Sequence, residues 1–240
     1  MRNPYFQFQQ FTVWHDRCAM KVGTDAVLLG AWADCHDARN ALDVGCGCGV
    51  IALMLAQRHP DLDIVGIDID GEAVAQAQDN FLRSPFAHRL HGTTADFIAY
   101  STDGRPASFD CIVSNPPFFT EDTTAGDAQR AMARHASSLP FDALAAGAAR
   151  LLTEQGRLSV VLPHATASQF ILTAAMHGLY LQRRCDVQTT SSKPPKRTLL
   201  TFGRRMQPAT TTVLTMFTSD NQPTDDYRQL TQDFYTNINH

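Results

Sequence analysis

Long apolar runs are missing from this chain of 240 residues. Stretches such as Ile51-Ala52-Leu53-Met54-Leu55-Ala56 stop far short of the roughly 20 apolar residues that a membrane-spanning helix needs. The opening Met1-Arg2-Asn3-Pro4-Tyr5-Phe6-Gln7 has no apolar core of the kind that marks a secretory signal, so the expected location is a reducing cytoplasm. Basic charge is not in excess: 20 Lys and Arg stand against 24 Asp and Glu, a net charge of −4. That excludes a protein that coats nucleic acid with its whole surface, while leaving room for a local basic patch. Paired metal-ligand motifs are absent too. Of the six cysteines, Cys46 and Cys48 are close in sequence, and they alternate with glycines rather than facing a second Cys/His pair. No metal site is expected, and the thiols are expected to be free. Repeats and low-complexity linkers are missing, so nothing divides the chain into modules.

What is present is the composition of an ordinary globule, 44% hydrophobic and 18% charged. A chain of this length buries a core without help from a metal or disulfide. From Ala41 onward short β-type runs alternate with helical stretches. Residues 41–44, 62–68, a stretch around 89–91, 109–113 and 157–162 read as strands. Residues 50–58, 72–81 (capped by Asp70), 141–152 and 166–177 read as helices. This alternation implies an α/β, Rossmann-like fold: a mostly parallel sheet, here expected to have seven strands, with helices on both faces. Residues 24–33 read as a separate helix with Thr24 as its cap. Residues 197–202 and 212–217 read as antiparallel edge strands, and 227–235 as a last amphipathic helix. The expected organisation is one domain over 1–240, with an N-terminal helical extension (1–40), a core (41–205), and an extra edge strand and C-terminal helix (206–240).

The first core strand runs into Asp43-Val44-Gly45-Cys46-Gly47-Cys48-Gly49. Alternate glycines allow positive φ and let a ligand approach the backbone with no Cβ in the way. The spacing is not the G-x-G-x-x-G that seats a pyrophosphate on a helix N-terminus, and an acid precedes the turn. Asp68 ends the second strand near the offset at which an acid binds a ribose diol. Two carboxylates flanking one crevice suit a ligand with a ribose and a positive charge, and S-adenosyl-L-methionine has both. A tight strand-to-helix turn alone is the plainer reading of the glycines. Asp96 is a candidate partner for the adenine amino group of that cofactor, or simply a cap for the short segment Phe97–Tyr100.

Ser114-Asn115-Pro116-Pro117-Phe118-Phe119 follows another strand and therefore opens at the same carboxyl edge. Two prolines make the loop stiff and remove two N–H donors, which serves a rigid exit turn equally well. Functionally, the Asn115 side-chain oxygen and the Pro116 carbonyl can accept both hydrogens of an exocyclic amino group. Its lone pair then loses conjugation with the ring and can face a methyl donor, while Phe118 offers a face for the base to stack on. Catalysis of this kind is mostly positioning.

Asp43-x-Gly45-x-Gly47-x-Gly49, Asp68 and Asn115-Pro116-Pro117-Phe118, in this order, resemble the class I S-adenosylmethionine-dependent amino-methyltransferases. The stretch from Phe11 to Ala33, with Lys21-Val22-Gly23-Thr24-Asp25, is similar to the opening of the bacterial tRNA1(Val) (adenine-37-N6)-methyltransferase family. Pro195–Leu200 and Leu230–Tyr235 are similar to its ending. The resemblance implies N6 methylation of adenine 37 in tRNA1(Val), next to the anticodon. It assigns the cofactor to Lys21, Gly23, Thr24, Asp43, Gly45, Gly47, Gly49, Asp68 and Asp96, and the target adenine to Asn115, Pro116, Pro117 and Phe118. Asp68 stands where Glu is common and Phe118 where Tyr is frequent; neither departure touches methyl transfer.

Between positions 183 and 205 lie Arg183, Arg184, Lys193, Lys196, Arg197, Arg204 and Arg205, with Asp186 the lone acid. Such an asymmetry suggests a phosphate-facing edge for the anticodon arm, or else a solvated sheet edge that discourages aggregation. The loop 120–136, with Arg130, Arg134 and His135, is placed to close over the target base. An rRNA guanine-N2 or protein glutamine methyltransferase, a NAD(P)-dependent oxidoreductase and a non-catalytic RNA-binding module remain as alternatives.

Overall fold

In the computed structural model, which describes residues 3–18, 20–103, 105–116 and 139–236, the alternation after Ala41 builds one large sheet. The elements in chain order are β1 (Tyr5–Gln7), β2 (Thr12–Trp14), α1 (Thr24–Trp32), β3 (Asn40–Val44), α2 (Val50–Arg58), β4 (Asp63–Asp68) and α3 (Gly71–Leu82). There follow β5 (Leu90–Thr94), α4 (Phe97–Asp103), β6 (Phe109–Ser114), α5 (Phe141–Leu151), β7 (Leu152–Pro163) and α6 (His164–Met176). The last are β8 (Tyr180–Gln188), β9 (Arg197–Gly203), β10 (Thr210–Thr215) and α7 (Asp225–Thr231). The sheet order is β10-β8-β9-β7-β6-β3-β4-β5.

Among the described residues the sheet therefore has eight strands rather than the expected seven. The additional one is β8, whose Arg183, Arg184 and Asp186 mask its alternation: Cys185 and Val187 face the core while Arg184 and Asp186 face away. β9 is not an edge strand. It lies between β7 and β8, antiparallel to both, and is buried from Thr198 to Gly203. β10 pairs parallel with β8, not antiparallel. The reason is geometric: β9 ends where β8 begins (Tyr180 opposite Gly203), so a chain that turns back at that end must run alongside β8 in the same direction. β9 alone thus runs against the other seven.

Alternation along the strands splits the core into two layers. On one face Ala41, Ile64, Cys111, Val113 and Leu199 pack with α1, α2, Phe81 of α3, and Tyr227 of α7. On the other Leu42, Val44, Ile67, Ile112, Leu158 and Leu200 pack with α4, α5 and α6. α1 is buried from Ala26 to Trp32, which explains its uniformly apolar sequence. Its N-cap is Gly23, without a side-chain bond, and not Thr24. Asp70 does cap α3, accepting from Glu72 N at 3.0 Å. β1 and β2 form an antiparallel pair ahead of α1, and no helix of the described residues is long and apolar enough to cross a membrane.

From β3 the chain steps outward through β4 to β5, then returns to the other side of β3 for β6 and β7. The strand order reverses between β3 and β6. Open parallel sheets bind ligands outside the carboxyl ends at such a point.

Candidate active site

The turn leaving β3 and the loop leaving β6 are neighbours across this switch point. Val44 is opposite Ser114, and the Ser114 hydroxyl donates to the Val44 carbonyl at 2.9 Å. Asn115, half-buried, and Pro116, buried, therefore emerge beside Gly45. Among the described residues the Asn115 carboxamide makes no hydrogen bond. Pro117, Phe118 and the loop 120–136 lie outside the described residues.

All three loop glycines have positive φ: Gly45 72°, Gly47 53° and Gly49 80°. They differ in surroundings. Among the described residues a Cβ on Gly45 or Gly47 would meet nothing within 4 Å, whereas one on Gly49 would lie 2.4 Å from the Phe81 ring. Gly49 is a packing glycine that lets α3 close on the turn; Gly45 and Gly47 leave backbone that no described residue covers. The turn is pinned by Gly45 N and Cys46 N, which both donate to the Ile67 carbonyl at 2.8 and 2.9 Å. Asp68 clasps it from β4, accepting from Gly47 N (2.9 Å) and from Asp70 N (3.0 Å). Its carboxylate oxygens keep lone pairs beyond these bonds.

Asp43 has no exposed surface. One oxygen accepts from Ala52 N at 3.2 Å, doing for α2 what its glycine N-cap lacks a side chain to do. The other oxygen, Oδ1, is buried with no partner among the described residues. Burial, opposed by the Ala52 bond and assisted by the Asp68 charge, pushes the carboxyl up from its ordinary 3.8 to about 7. The unfolded chain thus gives up this proton near pH 4 while the folded protein keeps it to about pH 7. This group's contribution is fully favourable below the first value, declines between the two, and is level above the second. Asp43→Asn is expected to remove that decline: without cofactor, its unfolding free energy gains up to about 4 kcal/mol on the wild type between pH 4 and pH 7. Urea titrations across that range check it, and parallel curves for the two proteins would sink it.

Asp96 is exposed at the same edge, next to Ala95, whose N–H donates to the Asp68 carbonyl at 2.9 Å. One of its oxygens caps α4 through Ala99 N at 3.0 Å. Lys21, Gly23 and Thr24 are exposed and make no hydrogen bond to the glycine turn among the described residues. The adjoining Asp25 is held by Arg197 Nε at 2.8 Å, which keeps the start of α1 at the carboxyl edge. Patterning does not mark Ile69, which is 57% exposed beside Asp68, because it continues an apolar strand run. It also passes over Asn80 of α3, fully buried in a stripe of Ala73, Ala77 and Phe81. A polar residue at core spacing is the available signal.

The basic stretch does not form one face. Arg183 lies over the Trp32 ring at 4.3 Å, and Arg184 pairs with both oxygens of Asp186 at 3.0 and 3.2 Å. Arg204 donates to the carbonyls of Ala149, Leu152 and Thr153. Lys193, Lys196 and Arg205 are exposed. Pro163 at the end of β7 faces Arg197 at the start of β9, so the loop carrying Lys193 and Lys196 stands at the site edge. Arg205 follows the far end of β9, about 23 Å away at some 3.3 Å per residue.

Comparison with known proteins places this geometry in a class. The Methyltransferase small domain matches residues 19–184. A crystal structure of a predicted O-methyltransferase, protein Atu636 from Agrobacterium tumefaciens, superposes with a TM-score of 0.68 at 18% identity, covering 88% of this chain and 96% of that one. The O-methyltransferase NcsB1 from neocarzinostatin biosynthesis, solved with S-adenosyl-L-homocysteine, gives 0.51 at 16% identity over 73% of this chain and 52% of its own. The fold is that of a class I methyltransferase. A tRNA1(Val) (adenine(37)-N6)-methyltransferase of Bacteroides thetaiotaomicron is 44% identical over 99% of this chain and 100% of its own length. The chain belongs to the tRNA1(Val) (adenine(37)-N6)-methyltransferase family.

Proposed function

We propose that this chain methylates N6 of adenine 37 in tRNA1(Val), as a cytoplasmic enzyme that uses S-adenosyl-L-methionine. The observation that carries the reading is the Ser114–Val44 hydrogen bond, which sets Asn115 directly beside the glycine turn. When bound, the cofactor supplies a methyl group made electrophilic by its sulfonium. Gly45 and Gly47 leave the room that the cofactor's approach to the backbone needs. Asp68 has lone pairs for the ribose hydroxyls, and the bare Ile69 side chain gives the cofactor's adenine an apolar face. Asp43, whose Oδ1 is buried with no partner among the described residues, adds negative charge next to the turn once its carboxyl has lost the proton. To the rim of the same crevice we assign Lys21, Gly23, Thr24 and Asp96, all exposed.

At the target, the Asn115 side-chain oxygen and the Pro116 carbonyl accept the two amino hydrogens and turn the nitrogen lone pair toward the methyl donor. By residue type, Pro117 would restrict the backbone of the loop and Phe118 would offer a face for the base to stack on. The surplus proton leaves to water after transfer, so no strong base is required. A nucleotide in an anticodon loop is unpaired, and presenting it costs less than extracting a base from a duplex. Methyl transfer to tRNA lacking the modification, located by mass mapping, tests the reading; incorporation elsewhere, or none, overturns it.

Lys193 and Lys196 are the basic residues best placed to meet the phosphates of the anticodon arm, with Arg183, Arg184, Arg197, Arg204 and Arg205 lending positive potential from paired or more distant positions. Replacing both lysines with alanine is expected to raise KM for tRNA several-fold with kcat unchanged. The slope of log KM against log salt should fall by roughly one for each phosphate that is no longer neutralised. An unchanged slope would move the RNA to another face.

A further inference from the structure

We infer that Asn80 is a positioning residue for the cofactor pocket, joining the segment that leads from β2 to α1 to the glycine turn. The inference rests on the cofactor reading given above. Asn80 is fully buried on α3, and its carboxamide is committed on both sides. Its Oδ1 accepts from Trp14 N at 2.9 Å, while Nδ2 donates to the Trp14 carbonyl at 2.8 Å and to the Cys48 carbonyl at 2.9 Å. Both donors and the acceptor are thereby spent on main chain. A side-chain amide that pairs both main-chain groups of one residue acts as an extra strand partner for it. Here the same amide also holds a turn that lies 34 residues further along (14 to 48).

The rest of this face of α3 serves the same junction. Phe81 and Ala77 pack against Gly49, the glycine that cannot carry a Cβ. Gln76, one turn earlier and 2% exposed, accepts from Arg17 N and Arg17 Nε, each at 3.3 Å. Arg17 also pairs with Asp79. Four to seven residues beyond Arg17 stand Lys21, Gly23 and Thr24, which the cofactor reading assigns to the mouth of the crevice. Asn80 thus sets two parts of one pocket against each other without facing the ligand itself. Its removal would leave the Trp14 N–H and two carbonyls without their partner, and would free the strap from the turn. An apolar residue at position 80 would fill the space and supply none of these bonds.

Truncation should therefore weaken cofactor binding and leave the chemical step intact, because Asn115 is held through β6 and Val44 and not through α3. In Asn80→Ala, the KM and the calorimetric Kd for S-adenosyl-L-methionine should rise by roughly tenfold or more. At saturating cofactor, kcat should stay within about threefold of wild type, with KM for tRNA unchanged. Trypsin cleavage after Arg17 and Lys21 should be slowed by cofactor in the wild type and not in the variant. Asn80→Asp keeps the acceptor for Trp14 N–H at the same size; it should shift the cofactor Kd in the same direction and provides the measurement if the alanine variant does not fold. A cofactor Kd unchanged in a folded variant, or a kcat that falls while KM stays put, would overturn the assignment. Wild-type protein that fails to bind S-adenosyl-L-methionine would instead overturn the reading of the site.

Discussion

Asn115→Ala is expected to bind S-adenosyl-L-methionine as tightly as the wild type and to lose methyl transfer, with kcat falling by roughly 100- to 1,000-fold. That is the scale observed when one preorganised hydrogen-bonding group is removed from a reacting centre. Among the described residues this side chain has no second partner. Its neighbour Ser114 does the structural work, being 1% exposed and bonded to the Val44 carbonyl. The Asn115 carboxamide itself is half-buried and unengaged by the described residues. Truncation should therefore cost less than about 1 kcal/mol of stability, as for most changes outside a packed core or buried network. Thermal melts and calorimetry with the cofactor establish that the variant is folded and competent to bind; transfer of labelled methyl groups to tRNA measures the loss. Activity within tenfold of wild type would mean that the amino group is held by something other than this loop.

The parts of the site that could be read from the sequence are those in which residue type dictates backbone behaviour. Three alternate glycines announced a turn of positive φ, and Asp70 announced the start of α3. Asn115-Pro116 announced the end of β6. What escaped notice depends on partners distant in the chain. β8 hides a core-facing Cys185 and Val187 behind arginines whose charges are spent on Trp32 and Asp186. The direction of β10 follows from where β9 ends rather than from local propensity. Seven basic residues in 23 looked like one patch. Strand alternation and a hairpin turn send them to two faces and two ends of the sheet. The Asn80 link spans 66 residues to Trp14 and 32 to Cys48, so no local window holds both ends. The division of labour among the glycines was equally hidden, since all three have the same conformation and differ only in what lies opposite.

That difference makes Gly47→Ala and Gly49→Ala an informative pair, with opposite expected losses. At Gly49 a methyl group would stand 2.4 Å from Phe81 Cε1 and 3.2 Å from Ala77 Cβ. Phe81 has no exposed surface into which to retreat. The strain of φ +80° adds to the clash. Together they should cost about 2–4 kcal/mol, lowering Tm by roughly 5–15 °C for a chain of this size. At Gly47 no described residue lies within 4 Å of the added Cβ, so only the cost of φ +53° remains, about 1 kcal/mol. The Gly47 N–H also survives the substitution, and with it the bond to Asp68. Yet the new methyl occupies the open side of the turn, where the backbone is bare for a ligand. Gly47→Ala should therefore melt within a few degrees of wild type while its affinity for S-adenosyl-L-methionine falls by roughly tenfold or more. Calorimetric titration and thermal melts on both variants separate the two outcomes. Cofactor binding by Gly47→Ala at wild-type strength would place the ligand on another side of the turn. An unperturbed Tm in Gly49→Ala would mean that α3 does not close on the turn as tightly as its packing with Phe81 requires.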